Sequence, residues 1–303
     1  MSAATGRVEH RVLLTEDPAE FLVLAEAHLA ADPVLTTVVS TVTHRALAEV
    51  REGRPAPSYP RWWAVVRDPA GGVAGVAMRT APFAPYPLFV LPMPDAAAVA
   101  LAGALRERGE EVRGVNGALP AVHALAGELA RLQGRTAEVW EHTRLFELGE
   151  LVEPAPVAGR LRVAGPDDVE VCLAWFRAFF DDAAEQAGRS EDEEREEYVT
   201  REDMLERCAA GRVWLWEDGG EAVHMTGFSQ PSFGVARVGP VYTPKRHRGR
   251  GYASAAVAAV SRMLRDQGAR VCLFTDQANP TSNRIYQALG YRPVVDMANL
   301  RIR

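Results

Sequence analysis

The stretch from Gly239 to Ala259 constrains this chain more than any other. A β-type run ending Val241-Tyr242-Thr243 leads into Arg248-Gly249-Arg250-Gly251-Tyr252-Ala253, and an alanine-rich helical pattern follows. Strand, glycine-rich turn and helix, in that order, let a chain present backbone amides to a pyrophosphate. Glycine suits positions 249 and 251 because a phosphate-wrapping turn needs φ > 0 and close backbone approach, and a β-carbon obstructs both. The helix expected from Tyr252 to Gln267 would aim its unpaired N–H groups and positive dipole end at the anion. Lys245, Arg246, Arg248 and Arg250 add positive charge at the entrance. The plain alternative is a solvated turn.

Two nucleotide patterns are set aside. A Walker A loop needs Gly-Lys-Ser/Thr, and a dinucleotide fingerprint needs a third glycine at 254, where Ser254 stands. Downstream, Gly268 closes the helix, Ala269–Asp276 reads as a strand, and Asn279 (N-cap) with Pro280 (first helical residue) opens a second helix. That helix stops at Gly290, before Tyr291.

The spacing Arg-x-x-Gly-x-Ala at Arg248, Gly251 and Ala253 resembles the acyl-CoA signature of the GNAT superfamily of N-acetyltransferases. Asn279, Ser282, Tyr286, Gly290 and Tyr291 resemble the second half of the same signature, with serine at 282 where alanine is usual. The resemblance implies that the amides of Val241 and Thr243 hold the thioester and pantetheine. It gives the pyrophosphate to Arg248, Gly249, Arg250, Gly251, Tyr252 and Ala253, and nearby cofactor atoms to Asn279 and Asn283. Tyr286 would stand by the cofactor sulfur as the acid; its plain alternative is a packed helix aromatic. The implied activity is acetyl transfer from acetyl-CoA to a primary amine, small molecule or peptide, by direct attack in a ternary complex. A non-catalytic acyl-CoA sensor and a different acyl donor are the rival readings.

At 303 residues and 48% hydrophobic content the chain has room for two ordinary domains. Proline and glycine at 152–159 mark a linker between residues 1–151 and 160–303. The expected elements after it are a strand (160–164), a helix (167–184), an acidic helix (191–210) and strands at 212–217 and 221–229. By the resemblance this is a complete GNAT domain, an α/β (α+β) fold with a mixed, mostly antiparallel twisted sheet splayed at a central parallel pair and flanked by helices. The first half echoes it: helices at 19–31 and 34–53, strands at 62–67, 73–78 and 87–91, a helix at 96–108, a strand at 111–115, a helix at 120–133 and a strand near 137–146. Aligning the halves sets Phe89–Ala96 against the phosphate turn, without its glycines or arginines, so residues 1–151 read as a degenerate repeat that binds no cofactor. An unrelated α/β domain is the alternative. The alanine-rich helix at 96–105 is a candidate homodimer contact.

A net charge of −6 and a basic run confined to 245–250 argue against a nucleic-acid binder. Three cysteines without a CxxC pair fit a reducing compartment, and no histidine shows ligand spacing, so no metal is expected. The polar start and the absence of a long apolar run lead to the expectation of a cytoplasmic protein that does not enter a membrane. Between Asp181 and Glu206 stand twelve acidic residues against three basic ones, read either as a solvated helix face or as a field that steers a cationic amine. Deprotonating an ammonium calls for a base. Asp276 at a strand end is the first candidate, with Glu217 and His224 behind it; for Asp276 the alternative is a turn carboxylate that caps nearby amides.

Overall fold

The computed structural model describes residues 10–186 and 199–303. In chain order the first elements are β1 (Arg11–Thr15), α1 (Pro18–Ala31), α2 (Thr37–Arg51), β2 (Trp62–Arg67), β3 (Val73–Arg79), β4 (Leu88–Val90), α3 (Asp95–Glu107), β5 (Gly114–Ala118), α4 (Ala121–Gln133) and β6 (Ala137–Leu148). They are followed by β7 (Arg160–Val163), α5 (Val169–Gln186), α6 (Arg201–Ala209), β8 (Val213–Asp218), β9 (Glu221–Phe228), β10 (Val235–Tyr242), α7 (Tyr252–Asp266), β11 (Arg270–Asp276), α8 (Pro280–Ala288) and β12 (Tyr291–Ile302). The residues fall into two compact units: one runs to His142 and adds Asp296–Arg303, the other is Thr143–Val295.

In the first unit the strands run in the order β1-β2-β3-β4-β5-β12. Only β4 and β5 are parallel, paired Leu88↔Val115 to Val90↔Gly117, and Met297–Arg301 of β12 closes the edge antiparallel to β5. Trp62–Val66 of β2 is buried at every position. Helices on both faces explain that unbroken apolar run: Phe21 of α1 stacks on Trp63 at 6.0 Å, and Trp62 joins a core with α3 and α4. The alanines weighed above as a dimer contact are inside this unit. Ala97, Ala98 and Ala102 are fully buried in the same cluster as Leu125 and Ala126 of α4, because small side chains let two helices approach closely.

The second unit repeats the order as β7-β8-β9-β10-β11-β6. Again one pair is parallel, β10 with β11, and again the last strand lies antiparallel, here Thr143–Glu147 of β6 on β11. Its core on one side joins Val257, Val260 and Leu264 of α7 with Tyr286, Phe146 and Leu273. A second cluster packs Cys172, Phe176, Met204 and Cys208 of α5 and α6 against Leu215, Met225 and Tyr242.

The expected elements are found with shifted ends. The strand expected at 111–115 begins at Gly114, β1 was not foreseen, and β12 is longer than the few residues read after Gly290. Of the acidic helix at 191–210, residues Arg201–Ala209 are helical, capped by Thr200 and Asp203, and residues 187–198 lie outside the described residues.

Candidate active site

The centre of the second unit is a fork. β10 and β11 pair in parallel from Val235↔Arg270 to Val238↔Leu273, and there the pairing stops. Past that point β10 stays with β9 (Val241↔Thr226, Tyr242↔Met225), while β11 stays with β6 as far as Asp276↔Thr143. Gly239 and Pro240 drive the parting. They stand together opposite the single residue Gly227 as a bulge, and proline has no N–H to give a ladder. The backbone beyond the bulge, from Val241 at the end of β10 to Thr243 just after it, therefore borders an opening between strands.

The turn that follows has the conformation its glycines suggested. Gly249 has φ +77° and Gly251 φ +85°, and Gly251 is the N-cap of α7. No side chain caps that N-terminus, so the first-turn amides of Tyr252, Ala253 and Ser254 are left for an anion. The cations are largely engaged elsewhere. Arg248 gives Nε to the Thr243 carbonyl at 2.9 Å and Nη2 to Asp182 of α5 at 2.5 Å. Lys245 lies 3.4 Å from the same carboxylate, which also accepts the Tyr242 hydroxyl at 3.0 Å. Burial would push the Asp182 carboxyl up, but those donors outweigh it and hold it below the usual range. Arg246 pairs with Glu221 at 3.0 Å. Tyr252 is buried, with its hydroxyl on Asp218 at 2.6 Å. Asp182 was invisible as an individual in the sequence, one of twelve acidic residues between Asp181 and Glu206.

Across the fork, the end of β11 and the start of α8 form a second cluster. Asn279 caps α8 by accepting the Ser282 amide at 3.0 Å, with Pro280 in the first turn. Asn283 Nδ2 donates to the Asp276 carbonyl at 3.0 Å and to the Asn279 carbonyl at 2.7 Å. Asp276 Oδ1 accepts the Ala278 amide at 2.8 Å, so its carboxylate does cap the turn. Tyr286 of α8 is buried in the same core as Val238 and Leu273, edge-on to Tyr291 at 6.0 Å between ring centroids. The Tyr291 hydroxyl is tied to Ser261 at 2.7 Å, whereas that of Tyr286 has no hydrogen bond among the described residues. Burial pushes Tyr286 well above the usual tyrosine range, so it stays protonated.

The other carboxylate and histidine candidates are committed to structure. Glu217 is held by Arg162 at 2.8 Å and Arg160 at 3.1 Å, and these arginines keep it below the usual carboxylate range. His224 is sealed from solvent, with Nδ1 2.7 Å from Thr243 Oγ1 and Nε2 2.7 Å from Thr226 Oγ1. Burial lowers its pKa to about 3, so the ring is neutral. Among the described residues no group of His, Cys, Asp and Glu could hold a metal ion, and no helix is long and apolar enough to cross a membrane.

Fork, positive-φ turn and open helix N-terminus all lie between Leu173 and Tyr291, the span over which the sequence matches the acetyltransferase (GNAT) family. That stretch of the second half matches a GNAT-family domain. No curated protein matches the sequence. Solved structures do match in fold. A GCN5-related N-acetyltransferase from Sphaerobacter thermophilus is 17% identical with TM-score 0.57, covering 96% of this chain and 95% of that one. A GCN5-related N-acetyltransferase from Kribbella flavida is 17% identical with TM-score 0.52, covering 87% and 93%. A tandem GNAT protein from the clavulanic acid biosynthesis pathway is 16% identical with TM-score 0.54, covering 97% and 98%. At such identities the likeness is one of fold, and it takes in both units, with GNAT-type mixed sheets that are mostly antiparallel around a parallel pair.

Proposed function

We propose that the protein is an acetyl-CoA-dependent N-acetyltransferase whose second unit acts on a primary amine by direct attack in a ternary complex. The observation that carries this reading is the uncapped N-terminus of α7, set behind two positive-φ glycines at the mouth of a parted strand pair. These features fit an acyl-CoA: the parted strands would admit pantetheine, with Val241 and Thr243 along one edge and Asn279 and Asn283 at the other. The 248–253 turn would hold the pyrophosphate. Bound acetyl-CoA supplies the activated acetyl group as a thioester.

Tyr286 keeps its proton through the physiological range and has no competing acceptor among the described residues, so its hydroxyl is the donor for the departing sulfur. Among the carboxylates and histidine weighed as bases, Glu217 is ion-paired and His224 is neutral and bonded at both nitrogens. Asp276, at the strand end beside the fork, is therefore the group proposed to take the ammonium proton. Its bond to the Ala278 amide fixes the carboxylate in place.

The first unit is read as a repeat that binds no cofactor. A β-carbon on Gly117 would meet the Val90 carbonyl at 2.1 Å, so β4 and β5 are still in close contact where β10 and β11 have parted. Its equivalent helix, α3, begins at Pro94 with Asp95 in the first turn, which repels an anion.

Thiol release from acetyl-CoA over a panel of amines, run beside Tyr286→Phe, tests the proposal. Release that needs both amine and Tyr286, with turnover cut about 10²- to 10⁴-fold in the variant, is the expected result. Tight acetyl-CoA binding without release would favour a sensor instead.

A further inference from the structure

Asp182 joins two parts of the second unit that belong to different cores. It stands on α5, whose apolar side lies in the cluster with α6 and Tyr242, whereas the turn it touches leads into α7 of the other cluster. Its side chain is only 13% exposed and takes three donors from one short segment: the Tyr242 hydroxyl at 3.0 Å, Arg248 Nη2 at 2.5 Å and Lys245 Nζ at 3.4 Å. Trp175, earlier on α5, meets the Tyr242 ring at 6.2 Å between centroids. One carboxylate and one aromatic contact thus clamp the end of β10 and the start of the turn to α5.

The clamp uses the groups that the turn would offer an anion. Arg248 gives Nε to the Thr243 carbonyl and Nη2 to Asp182, so the edge with which a guanidinium makes paired bonds to an oxyanion is spent on protein oxygens. Lys245 faces the same carboxylate. The N-terminus of α7, by contrast, has no side-chain cap and no acid in its first turn. A pyrophosphate seated there carries more negative charge than one carboxylate and competes with it for both cations.

We propose that Asp182 is the counter-anion of the phosphate turn before the donor binds: it holds Arg248 and Lys245 until the pyrophosphate takes them, and that exchange unclamps α5 from the end of β10. This rests on the transferase reading above, which supplies the pyrophosphate. Asp182 is then a positioning residue through which donor binding acts on α5. Binding that must break these ion pairs is weakened by them, so removing the carboxylate tightens it.

Calorimetric titrations of the full-length protein with CoA, inorganic pyrophosphate and pantetheine test it, in the wild type, Asp182→Asn and Asp181→Asn. Asp181 is the exposed neighbour, and its variant removes the same charge while leaving the clamp intact. Asp182→Asn should bind CoA and pyrophosphate about tenfold or more tightly than the wild type, and Asp181→Asn within about twofold of it. Pantetheine, which lacks the pyrophosphate, should not distinguish the three. Amide exchange gives a readout that needs no variant: CoA should quicken exchange in α5 of the wild type, and α5 of Asp182→Asn should be fast already without CoA. A brace that merely shapes the turn predicts the reverse, weaker CoA binding in Asp182→Asn. That result, an equal gain in Asp181→Asn, or wild-type α5 exchange that CoA leaves unchanged overturns the proposal. If pyrophosphate shows the Asp182 effect while CoA does not bind, the transferase reading fails alone; if CoA binds equally to all three proteins, the counter-anion proposal fails alone.

Discussion

His224 shows at the scale of one residue how a titratable group can be structural. Its neutral ring bridges Thr226 and Thr243, and Thr243 also takes Arg248 Nε on its carbonyl, so the histidine supports the strand end that leads into the phosphate turn. With a folded pKa of about 3 against an unfolded value of 6.5, the unfolded chain binds the extra proton between those limits. Stability from this group is therefore whole above pH 6.5 and is lost as pH falls toward 3. Between pH 7 and pH 5 the loss is about 2 kcal/mol. The carboxylates with lowered pKa values, Asp168, Asp182 and Glu217, are lost at lower pH. Denaturant titrations at pH 7 and pH 5 should show that loss in the wild type and not in His224→Gln, which keeps a donor and an acceptor but does not titrate. An equal pH dependence in both proteins would remove the histidine from the account. Tyr286 differs in kind: its packing neighbours survive in Tyr286→Phe, so lost turnover without lost stability would mark the hydroxyl as chemical.

At the scale of elements, the strand–turn–helix unit carries its own discriminating test. A valine at Gly251 would have to adopt φ +85°, at a cost of about 1–2 kcal/mol, and would place Cβ 2.8 Å from Val157 Cγ1. Gly249→Ala meets nothing within 4 Å and carries only the conformational cost at φ +77°. Acetyl-CoA affinity should fall by tenfold or more in Gly251→Val and less in Gly249→Ala, while use of acetyl-pantetheine, which lacks the pyrophosphate, is spared in both. Equal damage with the two donors would separate the turn from the pyrophosphate. This element was legible in the sequence because its signal is local: glycines, flanking β-residues and an alanine-rich period. Asn279 as the cap of α8 was legible for the same reason. The splayed parallel pair was expected only through the family resemblance; the place where it parts, after Val238 at the Gly239-Pro240 bulge, was not legible, since it depends on how β10 pairs with β9 on one side and β11 on the other. Charge counting along the chain saw the acid of residues 181–206 but not that Asp182 was already paired with Arg248 and Lys245.

At the scale of the whole molecule, each unit takes its last strand from the far side of the proline-rich segment. Residues 152–159 look in the sequence like the place to cut. Yet Thr143–Glu147 pair with β11 of the second unit, and Met297–Arg301 pair with β5 of the first. A fragment starting at residue 160 would lose Phe146 and Leu148 from the core that holds Tyr286, and would bare the β11 edge. Loss of one buried phenylalanine costs about 3–5 kcal/mol, a large share of the roughly 5–15 kcal/mol that holds a domain folded. The fragment 160–303 should therefore aggregate through its open edge or melt without cooperativity, whereas 143–295 should unfold cooperatively. Conversely, the full chain cut after Val295 keeps every strand of the second unit but takes Ala298, Leu300 and Ile302 from the core of the first. Amide exchange should then quicken in β5 while β10 and β11 keep their protection. If 160–303 proves as stable as 143–295, β6 is dispensable and the linker is a true boundary; if not, each unit needs a strand from the other side of the linker.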